Sequence, residues 1–358
     1  MATTDSTTDR LAVVGERPAI GVAAWAAAHS GGSVLLSLDD APPAGVANPG
    51  GPAKAATPFR DDALVDVCTT EHPRATHWVL VCRSARIESA LDAHGAAMSR
   101  GTLLLAPGGF GGVLRAHAWF QAAGIDPPTI AEATGFPAMG SGDDLDVRAV
   151  KRHLPIAGRT LDETLTVADA LAPWLPDLEP STLATTSFSN TNHLIHPPLV
   201  LSNAVRIDRD EPFGFYREGL SEAAEELLSA ADAERRALVA ALGGDDRSGV
   251  DWMNGFYGDQ GMSGDTLVEC LRSFPPFDDT PAPRLLEYRY LTDDVPFGVA
   301  AWAQTARRIG TPHRTLSALH ALSSAILGRE LDPPPGLVDD VVDHILSTRK
   351  ETHHDALA

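Results

Sequence analysis

The sequence predicts an α/β protein, with an N-terminal Rossmann-like, doubly wound sheet and a mostly α-helical C-terminal domain. Three observations carry this. First, Leu11-Ala12-Val13-Val14 is a short apolar run ending at Gly15. An alanine-rich helical stretch follows at Ile20–His29, and Val34–Leu38 reads as a second strand. That is the strand–turn–helix–strand opening of a dinucleotide-binding unit. Second, the apolar runs His77–Cys82 and Thr102–Ala106 flank another helical stretch, and near-continuous apolar strands suit a parallel sheet covered on both faces. Third, from about Ser202 the pattern turns helical. Glu218–Leu242 is long and amphipathic and is closed by Gly243-Gly244, a glycine stop of the usual kind. Val299–Arg307 and Thr315–Leu327 are further helices, and Pro333-Pro334-Pro335 sets off a last one at Leu337–Arg349. Asp251–Gly264, with Trp252, Phe256 and Tyr257 among glycines, reads as a loop with core anchors.

At 358 residues the chain exceeds what one core organises, and two domains are the default. They are expected at 11–182 and 183–349, between disordered tails at 1–10 and 350–358. No internal repeat is evident. Hydrophobic residues make up 44% and charged residues 21%, with a formal net charge of −20. Such a field repels phosphate backbones and anionic membranes, which argues against nucleic acid and membrane partners. Cys68, Cys82 and Cys270 lack metal-ligand spacing and read as buried structural thiols, so no metal is expected. Met1–Arg10 is polar without an apolar signal core, and no run approaches the length of a membrane span. The expected location is cytoplasmic.

The turn after the first strand is where a dinucleotide phosphate belongs. Bare glycines in G-x-G-x-x-G let backbone N–H groups approach the pyrophosphate. Here the turn is Gly15-Glu16-Arg17-Pro18-Ala19-Ile20-Gly21. Gly15 is in place, Arg17 replaces the middle glycine, Pro18 removes a donor, and Gly21 comes one residue late. Arg17 can compensate by meeting a phosphate directly; equally, the turn can close a strand–helix unit and bind nothing. Asp39 and Asp40 lie near the place of a ribose-binding acid but run into the Ala/Pro/Gly-rich segment 41–58, which reads as a flexible loop. Pro107-Gly108-Gly109-Phe110-Gly111-Gly112, after a strand, can lie along a ligand or serve packing alone.

The chemistry concentrates in Asn190-Thr191-Asn192-His193-Leu194-Ile195-His196-Pro197 and Arg289-Tyr290-Leu291-Thr292-Asp293-Asp294. A histidine carries a proton near neutral pH, an aspartate fixes its tautomer, and an arginine grips a carboxylate through two parallel bonds. Together these suit acid–base work on an anionic substrate. His193 is expected to face solvent or core. Asn192 can bind substrate or hold its loop. Tyr216 and Arg217 can wall the cleft or simply pack.

These residues resemble the opine dehydrogenases, the octopine/nopaline dehydrogenase family, over about residues 11–330. The carrying segments are Ala106–Gly112, Ala131-Glu132-Ala133-Thr134, Val150-Lys151, Asn190-Thr191-Asn192 with His196-Pro197, Leu201-Ser202-Asn203, Phe215–Gly219, Asp232–Arg235, and Arg289-Tyr290 with Asp293–Pro296. The resemblance implies that His196 transfers protons, that Asp294 pairs with it and that Arg289 holds a substrate carboxylate, with Asn192 and Tyr216 on the substrate side. It also implies condensation of an amino acid with a 2-oxo acid and reduction of the imine by NADH or NADPH. Gly15, Arg17, Gly21, Arg83, Gly108 and Gly109 are then the candidate cofactor contacts. The departures cluster there: the glycine turn is altered, and Cys82-Arg83-Ser84 replaces the proline-containing turn usual in that family. Arg17 and Arg83 favour either a phosphate-bearing cofactor or a site that has lost dinucleotide. The alternative function is therefore a repurposed relative that uses the His–Asp pair for non-redox condensation, cyclisation or elimination. A homodimer through the helical half is left open.

Overall fold

The structure, a computed structural model, describes residues 10–30, 33–40, 46, 53–54, 64–67 and 75–355. Cys68, the expected tail before Arg10 and most of segment 41–58 lie outside the described residues. The first half runs β1 (Leu11–Gly15), α1 (Ala19–Ser30), β2 (Ser33–Leu38), β3 (Ala53–Lys54), β4 (Leu64–Val67), β5 (His77–Val81), α2 (Ile87–His94), β6 (Thr102–Ala106), α3 (Gly112–Ala123) and β7 (Thr129–Ala133). The short strands β8 (Ala138–Met139) and β9 (Ala149–Val150) follow, then β10 (Leu154–Ala157), α4 (Leu161–Leu171) and β11 (Leu178–Pro180). Nine of these strands form one sheet in the order β11-β10-β7-β6-β5-β1-β2-β4-β3, and β8 pairs separately with β9. The run β4-β2-β1-β5-β6-β7 is parallel throughout. Its order reverses between β1 and β5, so the ligand crevice of such a sheet opens at their C-terminal ends, at Gly15 and Val81.

Alternation along each strand builds the two faces. Leu11 and Val13 pack with α1 and α4, in a cluster containing Ile20, Trp25, Val79, Leu104, Val167 and Leu171. Ala12 and Val14 face the other way, with Leu80, Leu91, Leu105, Val113 and Phe120 of the α2–α3 side. That second cluster continues into the helical half through Phe188, Leu194 and Trp302. The expected α/β architecture is thus present, with one face of the sheet serving as the floor of the helical half.

The helical half comprises α5 (Leu183–Thr186), α6 (Thr191–Ser202), α7 (Ala204–Asp208), α8 (Glu222–Leu242), α9 (Gly249–Tyr257), α10 (Leu267–Ser273), α11 (Arg289–Thr292), α12 (Ala300–Ile309), α13 (Arg314–Leu327) and α14 (Leu337–Asp355). Helix α6 lies at its centre, against α8, α11 and α13. Three expectations are corrected. The long helix starts at Glu222 rather than Glu218, because the Ser221 side chain accepts from the Ala224 amide and caps it. Asp251–Gly264 is helical as far as Gln260 and irregular only from Gly261: Ser248 and Asp251 form a reciprocal capping box that satisfies the first free amides and starts α9. The final helix continues to Asp355, six residues beyond the expected end.

One fully buried carboxylate ties the halves together. Glu132, in β7, accepts from the Val113 amide at the start of α3 (2.9 Å) and from the hydroxyls of Thr186 (2.7 Å) and Ser187 (3.1 Å). Burial pushes its carboxyl up to about 7, against the pull of these donors.

Candidate active site

Helix α6 begins with Asn190, whose side chain accepts from the Asn192 amide. Asn192, His193 and His196 follow within the next two turns, and residues three and four apart share a helix face. Asp294 arrives from the other segment. Helix α11 ends at Thr292, and a wide turn at Val295–Val299, in which the Val299 amide reaches the Asp294 carbonyl, leads into α12. Such single wide turns are often found at functional sites. This turn aims the adjacent acids apart. Asp294 Oδ2 lies 2.6 Å from His196 Nδ1, with both side chains 3% exposed. Asp293 instead accepts from the amides of Ser84 (3.2 Å) and Ala85 (2.7 Å), just beyond β5.

With Nδ1–H donating to Asp294, His196 Nε2 is left as an acceptor, and it meets the Tyr216 hydroxyl at 2.7 Å. The Tyr290 ring stacks on the imidazole at 3.8 Å between centroids, and Phe277 backs Tyr216 at 4.5 Å. Burial pushes His196 well below the ordinary histidine range, assisted by the charges of Arg289 and Lys151. Burial pushes Asp294 up, while His193 and Arg289 hold it back. The resting imidazole is therefore neutral, which is the form that accepts a proton. Arg289 lies over the Tyr290 ring at 4.8 Å. It has no ion pair among the described residues, so its fork is free for a carboxylate. Asn192 is half-buried, and its side-chain amide is likewise unbonded among the described residues.

Three further residues lie at this centre to which the sequence reading gave no role in it. His193 faces the core, as expected, yet its Nε2 stands 3.7 Å from Asp294 Oδ1 and 3.2 Å from the Asn190 amide nitrogen. Burial lowers it to about 4. Asp293 is the clamp onto the turn after β5, and burial, with Asp294 alongside, raises it to about 6. Lys151 places a buried ammonium at the same centre. No motif marks any of these roles; adjacent acids give no sign in sequence that they point apart.

The expected cofactor contacts fall out differently. Gly15 adopts φ +126°, and a Cβ there would sit 2.2 Å from the Val81 carbonyl oxygen. Its own carbonyl accepts from the Asp39 amide at 2.9 Å, so Asp39 is the first residue past β2 and sits beside the turn. Arg83 does not project freely: its amide and guanidinium both bind Glu16, at 2.9 and 2.8 Å. Arg17 pairs with Asp143 at 2.9 Å, but both are more than half exposed, and such a pair exchanges readily with solvent or ligand. Gly21 is needed against the backbone of Gly140, Gly108 against Glu132, and Gly109 against Ser84. Packing accounts for these three glycines, leaving only their peptide planes to meet a ligand. Cys82 and Cys270 are buried free thiols, and burial pushes both up, Cys270 to about 11.

Through the hold of Asp293 on the amides of Ser84 and Ala85, the histidine–aspartate centre sits beside the C-terminal end of β5, where the strand order reverses. Residues 180–327 match the family described as NAD/NADP octopine/nopaline dehydrogenase, alpha-helical domain, which bears out the resemblance to opine dehydrogenases. An opine dehydrogenase of Arthrobacter sp. (strain 1C) is 26% identical over 229 residues, 63% of each chain. A vitopine synthase of Allorhizobium ampelinum is 29% identical over 194 residues, 51% of each. The chain therefore spans less than two thirds of the length of these curated relatives. Among solved structures, octopine dehydrogenase with NADH and L-arginine superposes with a TM-score of 0.65 at 16% identity, covering 90% of both chains. NADP+-bound yersinopine dehydrogenase superposes with a TM-score of 0.66 at 14% identity, covering 96% of this chain and 99% of that one. At these identities the likeness is one of fold. No helix among the described residues is long and apolar enough to cross a membrane.

Proposed function

We propose that this chain is an NAD(P)H-dependent oxidoreductase that condenses an amino acid with a 2-oxo acid and reduces the resulting imine. The observation that carries the reading is the buried 2.6 Å contact between His196 and Asp294, with the unpaired Arg289 beside it. The amine of an amino acid is protonated near neutral pH and must lose a proton before it attacks a carbonyl. His196 Nε2 takes that proton while Asp294 stabilises the imidazolium. The same nitrogen returns a proton as the hydroxyl of the adduct leaves as water. Arg289 orients the oxo acid through its carboxylate. The Tyr216 hydroxyl keeps Nε2 in its accepting form until substrate takes its place. Tyr290 covers the imidazole face, and Phe277 backs Tyr216.

The crevice residues fit a dinucleotide. The open turn at Gly15 and the exposed Arg17 would face its phosphates, and Asp39 would face a ribose. The Glu16 charge, which would repel phosphate, is neutralised by Arg83. When bound, the reduced nicotinamide supplies the hydride.

Titration of the purified protein with NADPH and NADH, followed by nicotinamide fluorescence, tests this first. Micromolar binding is expected, with oxidation only when an amino acid and an oxo acid are both present. His196→Ala should bind cofactor normally and lose roughly 10²- to 10⁴-fold in kcat. No binding at millimolar cofactor overturns the redox reading and points to non-redox chemistry at the same pair.

A further inference from the structure

Lys151 follows β9 directly. Its backbone is fixed from both halves. The Lys151 amide donates to the Pro137 carbonyl at 3.0 Å, and the Gln260 side chain binds both the amide and the carbonyl of Val150, at 2.9 and 2.7 Å. The side chain is only 7% exposed. Its ammonium has no hydrogen bond or ion pair among the described residues, only the face of Phe256 at 4.9 Å.

A Cβ on Gly135 would stand 2.3 Å from Lys151 Nζ, so glycine at 135 is what lets the ammonium lie there. Gly135 is two residues past the C-terminal end of β7, on the ligand edge of the sheet. From there the Lys151 charge is felt at both His193 and His196, as is that of Arg289. An ammonium on a residue this buried, with no anion beside it among the described residues, is costly to keep charged. Two cations without anions thus attend one acid–base pair, and the product of the proposed reaction carries two carboxylates, one on each side of its nitrogen.

We propose that Lys151 binds the α-carboxylate of the amine substrate and thereby selects α-amino acids over amines that lack that group. This rests on the function proposed above, with Arg289 taking the carboxylate of the oxo acid. The ammonium keeps its charge when the carboxylate docks, because the ion pair replaces the water it has lost. Phe256 covers the pair from the helical side.

The test compares matched amines with saturating pyruvate and whichever cofactor is oxidised: L-arginine against agmatine, and L-leucine against 3-methylbutylamine. The readout is the ratio of kcat/KM for the amino acid over its decarboxylated partner. In Lys151→Met that ratio should fall roughly thirtyfold, through KM for the amino acid, with KM for pyruvate held. Gly135→Ala keeps the charge but displaces the ammonium, and should lower the same ratio. Lys151→Met should unfold no earlier than the parent on heating, because it removes an unpaired buried charge.

An unchanged ratio in Lys151→Met overturns the proposal, as does a loss that falls equally on both amines or that appears in the cofactor Kd. If the parent protein oxidises no cofactor with any pair, the proposed function fails on its own terms. Lys151 is then judged by thermal shift. A rise in unfolding midpoint with L-arginine or L-leucine, absent with the decarboxylated amines and lost in Lys151→Met, still supports a carboxylate site. No such rise overturns it.

Discussion

The crevice at the end of β1 and the centre around His196 handle charge in opposite ways. In the crevice the ionic groups answer one another: Glu16 is held by Arg83, Arg17 by Asp143, and Asp293 by the amides of Ser84 and Ala85. Around His196 one pair is closed, His196 with Asp294, while two cations, Arg289 and Lys151, have no ion pair among the described residues. The first region is balanced before any ligand arrives. The second is balanced only when anions enter it. Unpaired charge in a dry place is therefore the better guide to where substrate goes, and the altered glycine turn is a poorer guide to what has been lost.

Three substitutions test that contrast, from the largest expected effect to the smallest. Asp294→Asn should cost about 10³-fold in kcat with little change in either substrate KM, because the amide can donate to Nδ1 and leave Nε2 in the wrong tautomer. Stopped-flow cofactor oxidation measures it, and a loss confined to KM would mean that Asp294 only shapes the pocket. Arg289→Ala should raise KM for the oxo acid by about 10²-fold, and an unchanged KM removes Arg289 from its role. Arg83→Ala should weaken cofactor binding about tenfold by leaving Glu16 uncompensated near the phosphates, and Glu16→Gln in the same protein should restore it. If Arg83→Ala binds cofactor as before, the crevice is not balanced in the way the contacts imply.

Much of this was legible in the sequence because local pattern and tertiary role agree. The run Leu11–Gly15 with its alanine-rich helix matches β1 and α1 nearly to the residue, and of the residues that the resemblance singles out in the two chemical segments, His196 and Asp294 meet in the structure. The rest depended on contacts between distant residues. The pairing of Arg83 with Glu16 was not legible, because the two lie 67 residues apart and no local rule pairs them. Gly21, Gly108 and Gly109 read as ligand contacts, yet each is required by a neighbouring chain segment. Helix α9 was missed although Ser248-x-x-Asp251 is a capping signature, because the glycines on either side suggested a loop. Lys151 stood in one of the segments that carry the resemblance, Val150-Lys151, but without a role: a lysine after two apolar residues looks like any strand end until its burial is seen.

The Glu132 contacts bear on how a chain of this kind can be recombined. A junction placed where the sheet ends, after Pro180, separates the acid from the Thr186 and Ser187 hydroxyls that it receives. The helical half grafted onto a sheet without an acid at this position of β7 would carry two hydroxyls into the seam with no acceptor. The sheet joined to a helical half lacking them would bury a carboxylate with one amide for company. The two halves are exchangeable only as a matched set, and the smallest portable unit is fixed by one side chain rather than by the length of either domain.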